Sequence, residues 1–174
     1  MSNQVKEGSL ADMLGRFDTE QGVLPPVKDW NPELSGDMDM IIEPDGQWRH
    51  EGDIIKRDKL SRLFSSILKK EEEDYYLVTP VEKWRIKVVD QPFVILLCKV
   101  TQDGITLLTN MGEEIELNHS DQLSIDDHES PKVQVRDNLY ARLGRSVFYE
   151  IADLAVEDDK GYWIESFGAR LRIA

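Results

Sequence analysis

Residues 36–52, with the sequence GDMDMIIEPDGQWRHEG, indicate β-structure, because polar and apolar side chains begin to alternate here with a period of two. Acidic and apolar side chains alternate from Asp37 to Met40, the triplet PDG at 44–46 predicts a tight turn, and QWRHEG returns as a second strand. A β-hairpin is therefore expected soon after Trp30, where we expect the compact part of the chain to begin.

A helix and a second hairpin follow, and the rest of the chain repeats this plan. Asp58 is placed to cap a helix through Lys70, and the sequence from Tyr75 onward, YYLVTPVEKWRIKVV, predicts a hairpin. In the second half, FVILLCKV and ITLLT predict another hairpin, Asp137 is placed to cap a long helix over 138–157, and GYWIES and ARLRI close the chain. Because no strand–helix–strand rhythm is present, we expect antiparallel sheets.

Short sequence matches indicate that the two halves are duplicates. RDKL at 57–60 matches RDNL at 136–139, and YYL at 75–77 matches YWI at 162–164, with offsets of 79 and 87 residues. The second helix region is therefore expected to be longer by eight residues. The predicted fold is α+β, two β-rich halves related by internal duplication, each with antiparallel strands and one main helix. The predicted domains are an arm with a short helix (1–29), a first half (30–91) and a second half (92–174).

Composition excludes several classes of function. The 174 residues carry a net charge of −13, which disfavours binding to polymeric nucleic acid or an anionic membrane. One cysteine excludes an internal disulfide framework and a cysteine-rich zinc site. The start of the chain does not resemble a signal peptide, and the longest apolar run, from Phe93 to Cys98, is far shorter than the roughly 20 residues that span a bilayer. We expect a cytoplasmic protein without a cofactor.

Two motifs resemble a known family. WNPELSGDMDMIIEPDGQWRHEG at 30–52 and YYLVTPVEKWRI at 75–86 are similar to a bacterial family catalogued as domain of unknown function 1285. The resemblance implies a duplicated α+β core whose C-terminal half is similar to a pleckstrin-homology fold. It also implies a ligand site at the interface between the halves, for a nucleotide-like molecule in bacterial signalling. It implies no catalytic residue.

Arginines are the residues of this acidic chain that indicate a possible binding site. On the predicted second helix, Arg142 and Arg145 share a face, and guanidinium groups suit phosphate or carboxylate. Nearby aromatic side chains would complete a nucleotide-like pocket. The candidate ligand-binding residues are Arg57, Arg62, Tyr76, Thr79, Lys83, Arg136, Arg142 and Arg145. The alternative is that these cations form ion pairs with carboxylates of the chain, such as Asp58 or Asp137.

Catalytic and metal-binding patterns are weak. Asp37 and Asp39 share one face of a strand and could hold a divalent cation, but a solvated strand face is the favoured interpretation. The stretch from His119 to Lys132 contains two histidines and several acids, and we interpret it as a mobile acidic loop. Cys98 is interpreted as a small buried side chain, and no nucleophile–base set is present.

Three functions follow in order of preference. The first is a non-enzymatic module of bacterial signalling or regulation that binds an anionic, nucleotide-like ligand between the halves. The alternative is a protein–protein adaptor without a small-molecule ligand. A metal-dependent hydrolase that uses Asp37 and Asp39 ranks third.

Overall fold

The structure is a computed structural model that describes residues 23–174. The predicted helix of the N-terminal arm, at residues 10–17, lies outside the described residues. The chain divides into two compact units: unit 1 runs through Glu43 and from Gln47 to Val89, and unit 2 comprises Pro44–Gly46 and Asp90–Ala174. Within residues 23–174, no helix is long and apolar enough to cross a membrane.

Unit 1 contains one helix and a mixed six-stranded sheet. Its strands are β1 (Gly36–Ile42), β2 (Trp48–His50), β3 (Asp53–Ile54), β4 (Leu68–Glu71), β5 (Asp74–Val78) and β6 (Lys83–Val88). The helix α1 (Asp58–Ser66) lies between β3 and β4, and a 3-10 turn at Val27–Asp29 precedes β1. The strand order is β3-β2-β1-β6-β5-β4, so two three-stranded meanders join where β1 pairs with β6 in parallel.

The core of unit 1 forms on one face of this sheet. In β1 the side chains of Met40 and Ile42 are buried, whereas Asp39 is exposed, as the alternating sequence predicts. Phe64 of α1 stacks on Trp48 of β2, with ring centroids 6.1 Å apart and planes inclined by 19°. Both rings are almost fully buried. The opposite face of the sheet carries most of the charged side chains of these strands: Asp37, Lys69, Glu71, Asp74, Lys83 and Arg85.

Unit 2 contains a six-stranded sheet, a helix and a three-stranded sheet. The strands are β7 (Phe93–Val100), β8 (Ile105–Thr109), β9 (Glu114–Glu116), β10 (Leu123–Asp126), β11 (Glu129–Arg136), β12 (Leu139–Leu143), β13 (Val156–Asp158), β14 (Gly161–Ser166) and β15 (Ala169–Arg172). The helix α2 spans Arg145–Ala152. The larger sheet has the order β10-β11-β12-β7-β8-β9, with β12 and β7 parallel, and the smaller has the order β13-β14-β15. The expectation of purely antiparallel sheets is wrong at the pairs β1–β6 and β12–β7.

The long helix predicted over 138–157 is also wrong. Its first part is the strand β12, in which Leu139, Ala141 and Leu143 are buried in alternation. Two apolar residues four positions apart, such as Leu139 and Leu143, share one face in a helix and also in a strand. This spacing alone therefore does not distinguish a helix from a strand. Asp137 does not cap a helix. It has a φ of 49° in the two-residue loop between β11 and β12, a position that aspartate tolerates.

The first predicted helix starts within one residue of its predicted start but is too long, and Asp58 does not cap it, because Asp58 is its first residue and Arg57 is the N-cap without a side-chain hydrogen bond. It ends at Ser66 rather than at Lys70. The hydroxyls of Ser65 and Ser66 donate hydrogen bonds to the carbonyl oxygens of Arg62 and Leu63, at 2.8 and 2.6 Å. Such bonds from serine to the preceding turn compete with regular helix geometry, and the chain continues directly into β4.

The acidic stretch 119–132 is not a mobile loop. It contains β10 and the start of β11, which pair in a hairpin. At the hairpin turn, the amide of His128 donates to Oδ1 of Asp126 at 2.9 Å. The acidic side chains thus lie on and around an ordered hairpin, since aspartate favours turns through such local bonds.

A single offset relates the two copies of the repeated motif. The helices begin at Asp58 and Arg145, 87 residues apart, and β5 and β14 begin at Asp74 and Gly161, again 87 residues apart. The sequence from β1 to β6 therefore corresponds to that from β10 to β15, and β7–β9 precede the second copy. The offset of 79 is a coincidental match, because RDKL begins a helix whereas RDNL forms the hairpin loop before β12. The second helix region is not longer than the first.

Candidate functional site

The eight predicted site residues lie on different elements. Arg57 immediately precedes α1 and Arg62 lies on it; both are exposed and form no ion pair within the described part of the chain, so Asp58 does not neutralise Arg57. Arg142 lies on β12 whereas Arg145 begins α2, so these two residues do not share a helix face. The prediction of an arginine face on the second helix is therefore wrong.

Tyr76 and Lys83 are brought together on the charged face of unit 1. The ammonium of Lys83 lies 4.3 Å from the centroid of the Tyr76 ring and forms a salt bridge with Glu71. This hydrogen bond with Lys83 is the main cause that lowers the pKa of Glu71 below its usual value. Lys69 lies 3.4 Å from the other carboxylate oxygen of Glu71 and donates to the carbonyl oxygen of Trp30 at 3.0 Å.

Arg85 continues this row of charges across the sheet. It lies opposite Tyr76, and its Nε donates to Oδ1 of Asp37 on β1 at 2.6 Å. Its Nη1 is 3.7 Å from Oδ2 of Asp74. The bond to Asp37 is the first cause that raises the pKa of Arg85. This face therefore combines three cations, Lys69, Lys83 and Arg85, with three carboxylates, and its charge is internally compensated.

Thr79 lies in the turn between β5 and β6 and is almost fully buried. Its Oγ1 accepts hydrogen bonds from the amides of Glu82, at 2.9 Å, and Val81, at 3.3 Å. Its own amide donates to the carbonyl oxygen of Glu82. The hydroxyl thus has an identified structural role in shaping the turn.

Arg136 ends β11 and precedes a hairpin loop rather than the helix predicted over 138–157. Its guanidinium pairs with Glu113 and lies 5.1 Å from the centroid of the Phe93 ring. The side chain is largely buried, and a paired, stacked guanidinium is typical of a structural contact.

Arg142 is the member of the predicted set whose side chain has a buried donor without a partner among the described residues. It lies opposite Lys132 on β11, and its Nε is buried without a hydrogen-bond partner among the described residues. Oδ2 of Asp90 is 3.9 Å from this nitrogen, which is too far for a hydrogen bond. The side chain is 34% exposed, so a ligand can reach it.

Lys132 lies opposite Arg142 on β11, and Tyr140 lies two residues before Arg142 on the same face of β12. The ammonium of Lys132 is 3.0 Å from Oε2 of Glu129 and 5.6 Å from the centroid of the Tyr140 ring. Two cations on adjacent strands and one aromatic ring therefore share a face of the sheet, with one donor unsatisfied. We call Lys132, Tyr140 and Arg142 the β11–β12 cluster. Lys132 was not among the predicted site residues, because the sequence pattern assigned it to an acidic loop.

A second acid–cation–aromatic triad occurs in the three-stranded sheet. The guanidinium of Arg170 pairs with Asp158 and lies 4.6 Å from the centroid of the Trp163 ring. Nε1 of Trp163 also donates to Asp158, at 3.0 Å. These residues lie 87 positions after Lys83, Glu71 and Tyr76, so the triad is repeated with the fold. The backbone amide of Lys160 is the first cause, and Arg170 the second, that lowers the pKa of Asp158.

Metal and thiol chemistry receive no support from the described residues. Within residues 23–174 no group of three or more histidine, cysteine, aspartate or glutamate side chains is placed to hold a metal ion. Asp37 is engaged by Arg85, as the interpretation of a solvated strand face allows. Cys98 is half-buried rather than buried as predicted. Its partial burial is the main cause that raises the pKa of the thiol, so the reactive thiolate is disfavoured.

Comparisons with known proteins agree with the resemblance of the motifs. Residues 25–91 match the family model "Domain of unknown function (DUF1285), N-terminal domain", and residues 92–173 match "Protein of unknown function (DUF1285), C-terminal domain". A crystal structure of a DUF1285 family protein from Silicibacter pomeroyi DSS-3 is 38% identical, with a TM-score of 0.76 over 85% of this chain and 86% of that chain. Another, from Shewanella baltica OS155, is 28% identical, with a TM-score of 0.58 over 67% and 91%. No curated protein matches.

Proposed function

The chain belongs to the DUF1285 family, and we propose that it is a non-enzymatic module of bacterial signalling or regulation that binds a small anionic ligand at the β11–β12 cluster. The unsatisfied, buried Nε of Arg142 carries this proposal. A buried donor without a partner costs about 1–3 kcal/mol, and an anion that accepts its hydrogen bond would remove that cost. A cytoplasmic setting is part of the proposal.

The chemistry of the cluster favours a phosphate or carboxylate group beside a planar ring. The guanidinium of Arg142 is a planar fork of donors, and Lys132 adds a second positive charge on the adjacent strand. Tyr140 is half-buried, lies on the same face of β12 as Arg142, and supplies an aromatic surface beside Lys132. A nucleotide combines these features, so nucleotides are the first ligand class to test.

A thermal-shift titration with inorganic phosphate, mononucleotides and dinucleotides tests the proposal. Binding should raise the melting temperature by mass action. We expect Arg142→Gln and Lys132→Gln to abolish the shift, and Lys99→Gln, which removes an exposed cation of β7 in the same unit, to retain it. Arg145→Gln decides whether the site extends to the first residue of α2. Absence of a shift with every anion up to about 1 mM would contradict the proposal.

An adaptor function is the second candidate, and an exposed apolar segment favours it. Leu96, Leu97 and Val100 on β7 are all at least half exposed, at 55%, 61% and 51%. A cluster of exposed large apolar side chains is typical of interaction surfaces. The likeness of the C-terminal half to a pleckstrin-homology fold, which the family resemblance implies, belongs to this second proposal. If Leu97→Gln abolished the binding of a protein that the wild-type chain captures and left anion binding intact, the adaptor function would be distinguished from the ligand-binding function.

A further inference from the structure

The strands β7, β8 and β9 present an ordered set of side chains on one face of the larger sheet of unit 2. The register aligns six of these side chains in two rows across the three strands: Lys99–Thr106–Glu116 and Leu97–Leu108–Glu114. The alternate residues of β8 and β9, such as Leu107 and Ile115, are buried. Because side chains alternate between the two faces of a strand, both rows lie on the face away from the core.

The charges of this face have no partner within the described chain. Lys99 on β7 and Glu114 and Glu116 on β9 are exposed. None of the three side chains forms an ion pair or a hydrogen bond with any residue from 23 to 174. The middle strand β8 separates the cation from the two acids. One side of the face is therefore positive, the other is negative, and both are available to a partner.

Two leucines lie between these charges. Leu97 on β7 is 61% exposed, and its lateral neighbour Leu108 on β8 is half-exposed. The face thus has an apolar centre with charged side chains around it, which is the usual composition of a protein–protein interface.

This arrangement is complementary to itself. Two sheets pack face to face about 10 Å apart with their strands nearly aligned. A two-fold axis along β8 would place β7 of each copy over β9 of the other, because β8 is the middle strand of the three. Lys99 would then lie over Glu116 of the other copy, since the two residues belong to one row. Leu108 would meet its own counterpart near the axis, and the methylene groups of Glu114 would cover Leu97.

We propose that the outward face of β7, β8 and β9 binds a second copy of this chain about a two-fold axis along β8. A two-fold contact requires a self-complementary surface, and the opposite charges on the two sides of β8 select this partner. The face spans three strands, so we expect a weak dimer with a dissociation constant of about 1 μM to 1 mM. The inference assigns a partner to the surface of the second candidate function and rests on that function. Its failure would leave anion binding at the β11–β12 cluster unaffected.

Sedimentation equilibrium of the full chain tests the inference. The wild-type protein should change reversibly from monomer to dimer between about 10 μM and 1 mM. About 0.15 M salt is suitable, because it screens the long-range repulsion between two chains of charge −13 and affects charges in contact less. Lys99→Glu and Glu116→Lys each place like charges opposite one another at both contacts. Each variant should therefore dimerise roughly tenfold more weakly or less than that.

An equimolar mixture of Lys99→Glu and Glu116→Lys tests the symmetry. The mixed dimer has opposite charges at both contacts, so the two variants together should associate with about the wild-type affinity. Lys160→Glu is the matched control, because it makes the same change of net charge at an exposed position outside this face. It should retain the wild-type affinity. The melting temperature of each variant confirms that it folds.

Three results would overturn the inference. One is a wild-type chain that remains monomeric up to about 1 mM. Another is dimerisation of both charge-reversal variants with the wild-type affinity, since the contact would then lie elsewhere. The third is a mixture that associates no better than its components. If the wild-type chain remained monomeric and Leu97→Gln abolished the binding of a different captured protein, the inference would be overturned while the adaptor function would stand.

Discussion

Replacement of Arg142 with methionine should separate binding from stability. Nε of Arg142 is buried without a hydrogen bond, and its nearest carboxylate, on Asp90, is 3.9 Å away. Methionine keeps an apolar stem of similar length, so packing along β12 is largely retained. The substitution removes an unsatisfied donor, and we therefore expect it to be neutral or stabilising rather than destabilising.

The magnitude follows from the environment of this side chain. An unsatisfied buried donor costs about 1–3 kcal/mol when no water reaches the group. Because the Arg142 side chain is 34% exposed, we expect a gain at or below the lower end of that range. A gain of about 1 kcal/mol would raise the melting temperature by roughly 2–4 °C in a protein of this size. The ligand-induced shift, by contrast, should disappear.

Leu143 provides the matched control on the same strand. Its side chain is only 4% exposed and lies on the opposite face of β12. Leu143→Ala should lower the free energy of unfolding by about 2–5 kcal/mol and yet retain the ligand-induced shift. Urea unfolding and thermal shift with and without nucleotide measure both quantities. If Arg142→Met lowers the free energy of unfolding by more than about 1 kcal/mol, Arg142 has a structural role and the reasoning is wrong.

Three further predictions concern the fold. Thr79→Val should lower the free energy of unfolding, measured by urea denaturation, by about 1–2 kcal/mol, because the amide of Glu82 loses its acceptor. Thr79→Ser keeps the hydroxyl and should therefore retain most of this free energy. Gly104→Ala should lower the melting temperature, since an added Cβ would lie 2.5 Å from Oγ of Ser166, whereas Gly144→Ala, with open space around it and a negative φ, serves as the control; equal stability of Gly104→Ala and wild type would contradict this. Asp158 has a lowered pKa, so its contribution is present above its unfolded pKa and is lost as the pH falls through the lower folded pKa. The difference in melting temperature between wild type and Asp158→Asn should therefore shrink between about pH 5 and pH 2, and a difference that is constant with pH would refute it.

Local patterns were enough to predict most strands. The predicted segments FVILLCKV, ITLLT and GYWIES coincide with β7, β8 and β14, because each is bounded by turn residues and composed of strand-forming side chains. The parallel pairs could not be predicted in this way. Gly36 of β1 lies opposite Trp84 of β6, and no local pattern encodes a contact across that sequence separation.

The residues of the candidate site could also be predicted only in part from local sequence. Assigning Lys69 to the first helix hid its position beside Glu71 and Tyr76, because a residue in a helix and one in a strand present their side chains differently. Tyr76 and Lys83 were identified because they flank one short turn. Arg85 was missed as a partner of Asp37, since the two residues are 48 positions apart in the sequence.

The duplication gives a physical criterion for separating structural cations from binding cations. Where both copies retain a contact, as in the triads of Lys83 and Arg170, the shared geometry is explained by the fold that the copies share. Where the sheets of the two copies differ, a counter-ion is lost. Arg85 and Arg172 are such a pair, because β1 pairs with β6 and places Asp37 beside Arg85, whereas β10 lies in a different sheet from β15. An exposed guanidinium without an ion pair contributes little to stability, so a contact within the described residues explains Arg85 but not Arg172.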